Sequence, residues 1–208
     1  MDIYDLPFSE AADRNKGPLL EVVASYFKNC NNVLEIGSGT GQHAVHFATS
    51  LPKLQWHASD RSGSLEPIAQ RIRYAKIENA KAPIAFDVNQ QWPEQRFDGV
   101  FTANTLHIMP WQAVCSLFAG LPTILNEAAT VIVYGPFNYH GAYTSPSNAR
   151  FDELLKQTAA HQGIRDFEAV DKLAREARLA LLEDREMPAN NRCLVFRLKT
   201  ADPRKSFA

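Results

Sequence analysis

The chain has 208 residues, of which 45% are hydrophobic and 22% charged, as in an ordinary globular domain with a sizeable core. Its net charge is −1 and no cluster of Lys and Arg suits a phosphate backbone, so a nucleic-acid partner is not expected. No window reaches the roughly 20 apolar residues of a membrane span, and the acidic N-terminus does not resemble a signal peptide. The three widely spaced cysteines predict reduced thiols in a cytoplasmic protein.

Apolar runs of strand length alternate with helical periodicity, which is the pattern of a parallel α/β sheet. An N-terminal segment and helix occupy residues 1–30, and this first helix is predicted from Pro18. Later helices are predicted from Gln42, after Ser62 or Ser64, and at "WQAVCSLFAGLPTILNE", interrupted around Pro122. The strands predicted between them are "NVLEI", "LQWHAS", "APIAFDV", "FDGVFTAN" and "ATVIVYGPF".

The pattern changes after the fifth strand. Residues 136–150 form a polar, aromatic loop of a length that is usually functional or disordered, and we expect it on the substrate side. A helix with Ser147 near its cap and Gly163 as its stop follows, and then a second helix, "DFEAVDKLAREA". Two final strands, "LALLEDREM" and "RCLVFRLK", are joined by "PANN", and so short a connection requires an antiparallel pair.

The turn "GSGTGQ" after the first strand is the main functional signal. Its glycines, Gly37, Gly39 and Gly41, are spaced G-x-G-x-G, whereas a dinucleotide fold has G-x-G-x-x-G. Gln42 therefore stands where the third dinucleotide glycine belongs. A nucleotide triphosphate loop is excluded because no Gly-Lys-Ser/Thr follows.

Glu35 decides the ligand class, because a carboxylate two positions before Gly37 would repel a pyrophosphate and attract a cation. S-adenosylmethionine carries an ammonium and a sulfonium and no phosphate. The sequence E-x-G-x-G-x-G resembles the first motif of class I methyltransferases. The glycines and Ser38 would then cradle the methionine side of this cofactor.

Acidic residues also end the next two strands. Asp60 closes the second strand, where its carboxylate can accept both ribose hydroxyls, and Arg61 follows it. The methyltransferase resemblance assigns Asp87, with its neighbour Val88, to the adenine. The carboxyl ends of parallel strands meet at one sheet edge, which is where open α/β sheets bind ligands. The final hairpin also matches the antiparallel seventh strand of the class I fold.

Further segments narrow the resemblance: "ADRNKGPLLEV", "NTLHIMPW", "YGPF", "SNARFD" and "PANNR". Together they resemble the methyltransferase-like protein 26 family, which is also classed as a domain of unknown function. The likeness covers nearly the whole chain. It implies S-adenosylmethionine binding and brings no established substrate.

Asn104 and His107, in "ANTLHIMPW" after the fourth strand, are the candidate catalytic residues, and Asn104 is also a candidate cofactor ligand. Methyltransferases of nucleobase or glutamine nitrogens usually carry (Asn/Asp)-Pro-Pro-aromatic here, so Asn-Thr-Leu-His favours a small-molecule acceptor. His107 is either a general base or substrate-orienting donor, since imidazole titrates near neutral pH, or a structural residue at a helix start.

Other polar groups are predicted around the entrance. Arg14, Asn15 and Lys16 precede the first predicted helix, and Arg14 is the best of them for the cofactor carboxylate or an anionic substrate. A solvated terminal segment is the alternative. The loop offers further candidates for a substrate lid: Tyr139, His140, Tyr143, Asn148 and Arg150.

No metal site is expected, because His43, His46 and His57 lack converging Cys or carboxylate ligands. We therefore predict one Rossmann-like class I domain over residues 1–208: a seven-stranded, mostly parallel sheet with an antiparallel last strand and helices on both faces. The predicted function is methyl transfer from S-adenosylmethionine to a small molecule. The alternatives are a non-catalytic S-adenosylmethionine-binding or sensing domain and an NAD(P)-dependent oxidoreductase, which Arg61 beside Asp60 leaves open.

Overall fold

A central seven-stranded sheet organises the protein, and a computed structural model describes residues 6–200 of it. In chain order the strands are β1 (Asn32–Ile36), β2 (Gln55–Asp60), β3 (Ala80–Ala85), β4 (Phe97–Ala103), β5 (Leu125–Gly135), β6 (Phe137–Asn138), β7 (Arg165–Asp166), β8 (Leu179–Met187) and β9 (Asn191–Leu198). The large sheet has the order β3-β2-β1-β4-β5-β9-β8, and β6 pairs with β7 separately. Strands β1 to β5 are parallel, while β9 is antiparallel to both neighbours, as predicted.

Within residues 6–200 the structure has six α-helices. They are α1 (Glu10–Tyr26), α2 (Gln42–Ser50), α3 (Leu65–Ala75), α4 (Trp111–Ile124), α5 (Pro146–Thr158) and α6 (Phe167–Glu176). Apolar residues of α1, α2 and α3 form one core with the sheet, and those of α4 and α6 form a second core on its other face. This confirms the predicted fold class.

The first helix is longer than predicted. It begins at Glu10, where Ser9 accepts a hydrogen bond from the backbone N–H of Ala12, and Pro18 lies inside it. Proline was a misleading start signal, because α1 continues through Pro18 although a proline inside a helix removes one backbone hydrogen bond. Arg14, Asn15 and Lys16 are consequently helical residues and do not precede the helix.

Other predicted boundaries also change. Strand β3 ends at Ala85, so Asp87 follows the strand by two residues. Helix α4 continues through Pro122 without interruption. Helix α5 is capped by Ser145, whose hydroxyl accepts from the N–H of Asn148, and not by Ser147. It ends at Thr158, well before Gly163.

The segment 136–150 has more regular structure than a loop. After β6, a tight turn places His140 and Gly141 at positive φ, and Tyr139 and Ala142 bridge across it. The next helix begins at Pro146. Between residues 6 and 200, no helix combines the length and apolarity required to span a bilayer.

Candidate functional site

The glycine turn between β1 and α2 has a backbone that only glycine adopts without strain. Gly37, Gly39 and Gly41 have φ of 75°, 55° and 74°. The amides of Gly37 and Ser38 both donate to the carbonyl of Ser59 on β2, at 3.0 and 2.9 Å. Without side chains on these glycines, a ligand can approach the backbone of the turn closely.

The glycine turn packs directly against the segment that follows β4. A Cβ added to Gly37 would lie 2.8 Å from Thr105 Oγ1, so the absence of a side chain lets the two segments touch. This contact places the predicted cofactor turn beside the predicted catalytic segment 104–107.

Asp60 is at the end of β2, as predicted, and faces the glycine turn. Its Oδ2 accepts from the N–H of Gly39, and its Oδ1 accepts from the N–H of Arg61, both at 2.8 Å. Each carboxylate oxygen keeps a further acceptor site, so a vicinal diol can still bind there. Arg61 itself is exposed.

The Asp87 segment joins the same edge through backbone pairing, because the N–H of Phe86 donates to the carbonyl of Asp60 at 2.9 Å. Asp87 is half-buried, and its Oδ1 accepts from the N–H of Asn89. Val88 is buried next to it. The structure thus brings Asp60, Asp87 and Val88 together at the edge.

Glu35 differs from its neighbours because it is enclosed beneath the glycine turn. The residue is 1% exposed, and its carboxyl accepts a hydrogen bond from Trp56 Nε1 at 2.8 Å. Burial raises its pKa to about 7, while hydrogen bonds from Trp56 and Ser38 act in the opposite direction. Because it is enclosed, the Glu35 carboxyl is not open to direct contact with a ligand in this conformation.

A buried polar chain extends from Glu35 to the first helix. His43 Nε2 lies 2.6 Å from Asn15 Oδ1, and His43 Nδ1 lies 3.9 Å from Glu35 Oε1. The Asn15 oxygen can only accept, so the proton is on Nε2. Burial lowers the pKa of His43 to about 4, which keeps the ring neutral. Nothing in the spacing of Asn15, Glu35 and His43 along the sequence indicates these contacts.

Asn104 and His107 converge on Gly135 at the ends of β4 and β5. A Cβ on Gly135 would be 3.6 Å from His107 Nδ1 and 3.9 Å from Asn104 Oδ1. Asn104 has φ of 56°, and its N–H donates to the carbonyl of Tyr134. Asparagine is one of the few residues other than glycine that adopt this left-handed conformation readily.

His107 is buried next to an aromatic residue, Phe151, and near the positive charge of Arg165. It is 6% exposed, and Phe151 of α5 contacts it edge-on, with ring centroids 5.4 Å apart. Burial, aided by the charge of Arg165, lowers the pKa of His107 to about 4. At neutral pH the imidazole is therefore uncharged and able to accept a proton.

Arg165 fixes the segment around His107, a role that the sequence did not indicate. Its guanidinium donates to the carbonyls of Leu106, Met109 and His161, and it lies 5.9 Å from the centre of the Trp111 ring. The contacts with Leu106 and Met109 connect β7 to the segment after β4, and the contact with His161 is local.

Arg14 is not brought to this edge by any contact. It forms an exposed pair with Glu10 on α1, its side chain being 71% exposed. Three of the five predicted lid residues are engaged within the protein. The hydroxyl of Tyr139 donates to Asp184, the hydroxyl of Tyr143 donates to Asp152, and Asn148 is buried.

The sequence profile of a family described as a protein of unknown function, DUF938, matches residues 6–198. The chain belongs to the DUF938 family.

The part of it that is described contains no group of three His, Cys, Asp or Glu side chains arranged to hold a metal ion.

Solved methyltransferase structures share the fold of this DUF938 chain. An O-methyltransferase family protein from Burkholderia thailandensis has a TM-score of 0.81 and 14% identity, over 93% of this chain and 59% of its own. The S-adenosylmethionine-dependent methyltransferase SibL has a TM-score of 0.78 and 22% identity, over 91% and 56%. The mitomycin 7-O-methyltransferase MmcR has a TM-score of 0.78 and 16% identity, over 90% and 55%.

The DUF938 chain thus has the class I methyltransferase fold, and it spans between half and two thirds of the length of these proteins. At such low identity the likeness establishes the fold and does not carry the activity over.

Proposed function

We propose that the protein transfers a methyl group from S-adenosylmethionine to a small molecule. The observation that supports this best is the contact between the glycine turn and segment 104–107, through Gly37 and Thr105. Through this contact the proposed donor-binding turn lies beside Asn104 and His107, whose side chains both approach Gly135. Methyl transfer is an in-line displacement, for which proximity and alignment supply most of the catalysis.

The residues at the edge fit this cofactor. The glycine turn carries no lysine, and Asp60 keeps acceptor sites for a ribose diol. We assign the Asp87–Val88 segment, which is paired to Asp60 through Phe86, to the adenine. The cofactor supplies an already activated methyl group when bound. We further propose Gly39, Gly41, Ser38 and Arg61 as its contacts. Arg14 remains a candidate only for an ionic contact, from the exposed face of α1.

Glu35 contributes to this proposal through its charge. A cation bound above the turn stabilises the carboxylate form of Glu35, whose pKa is about 7 without it. Cofactor binding is then coupled to release of a proton from Glu35. Its neighbour His43 stays neutral and holds Asn15 in place.

The acceptor is proposed to lie against Gly135, between Asn104 and His107. The missing side chain of Gly135 leaves room for one atom of methyl size in contact with both residues, and the neutral His107 can accept a proton from the acceptor atom. Phe151 limits the access of water to His107. These groups orient the acceptor, exclude water and receive a proton.

A small-molecule acceptor agrees with the net charge of −1 and with the names of the structural neighbours, which include a mitomycin 7-O-methyltransferase. Membership of the methyltransferase-like protein 26 group and a cytoplasmic location remain part of the proposal. They rest on the sequence motifs and on the cysteine content.

A non-catalytic S-adenosylmethionine-binding domain is the second candidate. The low pKa of His107 favours it, because an imidazole with a pKa of about 4 is a weak base. For the oxidoreductase alternative, the exposed Arg61 beside Asp60 is the only favourable feature. Gln42 counts against it because its side chain fills the place of the third dinucleotide glycine.

Calorimetric titration with S-adenosylhomocysteine and with NADH separates the cofactor classes. We expect saturable binding of the thioether, weakened in Asp60→Asn. Binding of NADH together with no binding of S-adenosylhomocysteine would overturn the methyltransferase proposal.

Transfer is tested with labelled S-adenosylmethionine and a fractionated metabolite extract. Gly135→Ala places a methyl group at ordinary contact distance from His107 and Asn104, so the protein should fold and bind cofactor but lose transfer. Gly17→Ala is the matched control, because nothing lies within 4 Å of its added carbon. If the wild type binds S-adenosylhomocysteine but labels no fraction, the non-catalytic candidate is favoured.

A further inference from the structure

A short strap before α1, residues Pro7 to Ser9, is bonded to Gln42, the residue that follows the glycine turn (residues 37–41), although Ser9 and Gln42 are 33 positions apart in the chain. The N–H of Ser9 donates to Gln42 Oε1 at 2.6 Å, and Gln42 Nε2 donates to the Ser9 carbonyl at 3.2 Å. A primary amide thus pairs with both backbone groups of one residue. Gln42 is buried and is the first residue of α2, immediately after Gly41.

Arg71 of α3 makes a second connection between the same two segments. Its Nε donates to the carbonyl of Thr40, and its Nη2 donates to the carbonyl of Pro7, both at 2.7 Å. The guanidinium is planar and its donors have a fixed geometry, so it holds both carbonyls at a set separation. Arg73, two residues further along α3, instead forms an ion pair with Glu66 at the surface.

The glycine turn needs an external support of this kind. Three of its five residues are glycines, which have the largest conformational freedom to lose. Thr40 lies between two of them, and its hydroxyl donates to Gln42 Oε1 at 2.9 Å. Gln42 Oε1 therefore accepts from both the strap and the turn, while Arg71 donates to both.

We propose that Gln42 and Arg71 are positioning residues for donor binding, which hold the glycine turn in its binding conformation by fastening it to the strap. The inference rests on the proposed function, because the ligand of the turn is the cofactor of that function. Holding the turn in advance lowers the entropy cost of binding. Part of the cofactor affinity then depends on residues 7–9, which do not need to touch the cofactor.

The test measures the dissociation constant of S-adenosylhomocysteine for the full chain by calorimetry, well below the unfolding temperature. We expect Arg71→Gln and Gln42→Ala to weaken binding about tenfold. Arg71→Lys keeps the charge but cannot hold both carbonyls in the same geometry, so we expect an intermediate loss. Arg73→Gln is the matched control on the same helix and should bind as the wild type does.

Hydrogen exchange of the protein without cofactor gives the second readout. In Arg71→Gln, residues 7–12 and 37–42 should lose protection together, because each segment supports the other. Arg73→Gln should leave both segments unchanged.

The outcomes separate the two proposals. Variants that lower the melting temperature but bind S-adenosylhomocysteine like the wild type would show a purely structural role and overturn the inference alone. Exchange that rises in the strap while the glycine turn stays protected would also overturn it. A folded wild type that binds no S-adenosylhomocysteine would overturn the proposed function, and the inference with it.

Discussion

Replacing the enclosed carboxyl in Glu35→Gln should change how stability depends on pH. Burial raises the pKa of Glu35 from its ordinary value of 4.5 to about 7. The native state therefore keeps this proton over a pH range in which the unfolded chain has lost it. As the pH rises from 4.5 through 7, the wild type loses free energy of unfolding. Gln carries no titrating proton and avoids this loss, and its oxygen can still accept from Trp56.

The size of the effect follows from the pKa difference. At about 1.4 kcal/mol per pH unit, a rise from 4.5 to about 7 corresponds to roughly 3 kcal/mol over the full range. Most of this loss of free energy occurs between pH 5 and pH 8. Over that range the free energy of unfolding of Glu35→Gln should therefore rise by about 2 to 3 kcal/mol relative to the wild type. Terms from histidines remote from Glu35 are common to both proteins and cancel in the difference, whereas His43 lies 3.9 Å from the replaced carboxyl.

The assay is urea unfolding of both proteins without cofactor at pH 5, 6, 7 and 8. Glu127→Gln, which alters an exposed carboxyl on β5, serves as the control and should follow the wild type. If the Glu35→Gln and wild-type curves stay parallel across this range, Glu35 is ionised at little cost. The reasoning from its burial would then be wrong.

Three further predictions follow from the site and the core. Asp60→Asn removes a charged acceptor, so S-adenosylhomocysteine should bind roughly 10- to 100-fold more weakly in calorimetry, and unchanged affinity would contradict the ribose assignment. If His107 accepts a proton, the transfer rate at saturating S-adenosylmethionine should stay level from pH 8 to about 5 and fall only towards the His107 pKa of about 4, and a midpoint near 6.5 would contradict the burial argument. Gly120→Ala places a carbon 2.1 Å from the Trp92 ring, so thermal unfolding should show a loss of about 1 to 3 kcal/mol, whereas Gly17→Ala should show none.

The edge of the sheet was predictable because it depends on a rule of topology. Parallel strands align their carboxyl ends, so Asp60 and Asp87 could be assigned to one edge from strand order alone. The hairpin was equally predictable, since four residues cannot make a parallel crossover. The structure confirms the seven-stranded sheet with β9 antiparallel.

The surroundings of the site were not predictable from the same patterns. Asn15 contacts His43, and Ser9 contacts Gln42, across 28 and 33 positions of the chain. Periodicity reports which face of an element is apolar, and it carries no information about which polar groups meet across elements. The predicted start of α1 was wrong for another reason. Proline is typical of the first turn of a helix, so Pro18 indicated a start there, whereas the residue that caps the helix is Ser9.

The close approach of Gly37 to Thr105 has a consequence for how sequences with this fold can diverge. Any side chain at position 37 would displace Thr105, and a bulkier residue at position 105 would press on the turn. We therefore expect these two positions to change only together. Ile108, by contrast, is exposed one residue beyond His107 and is under no such restraint. Selection for a new acceptor can act at position 108 without disturbing the donor cradle.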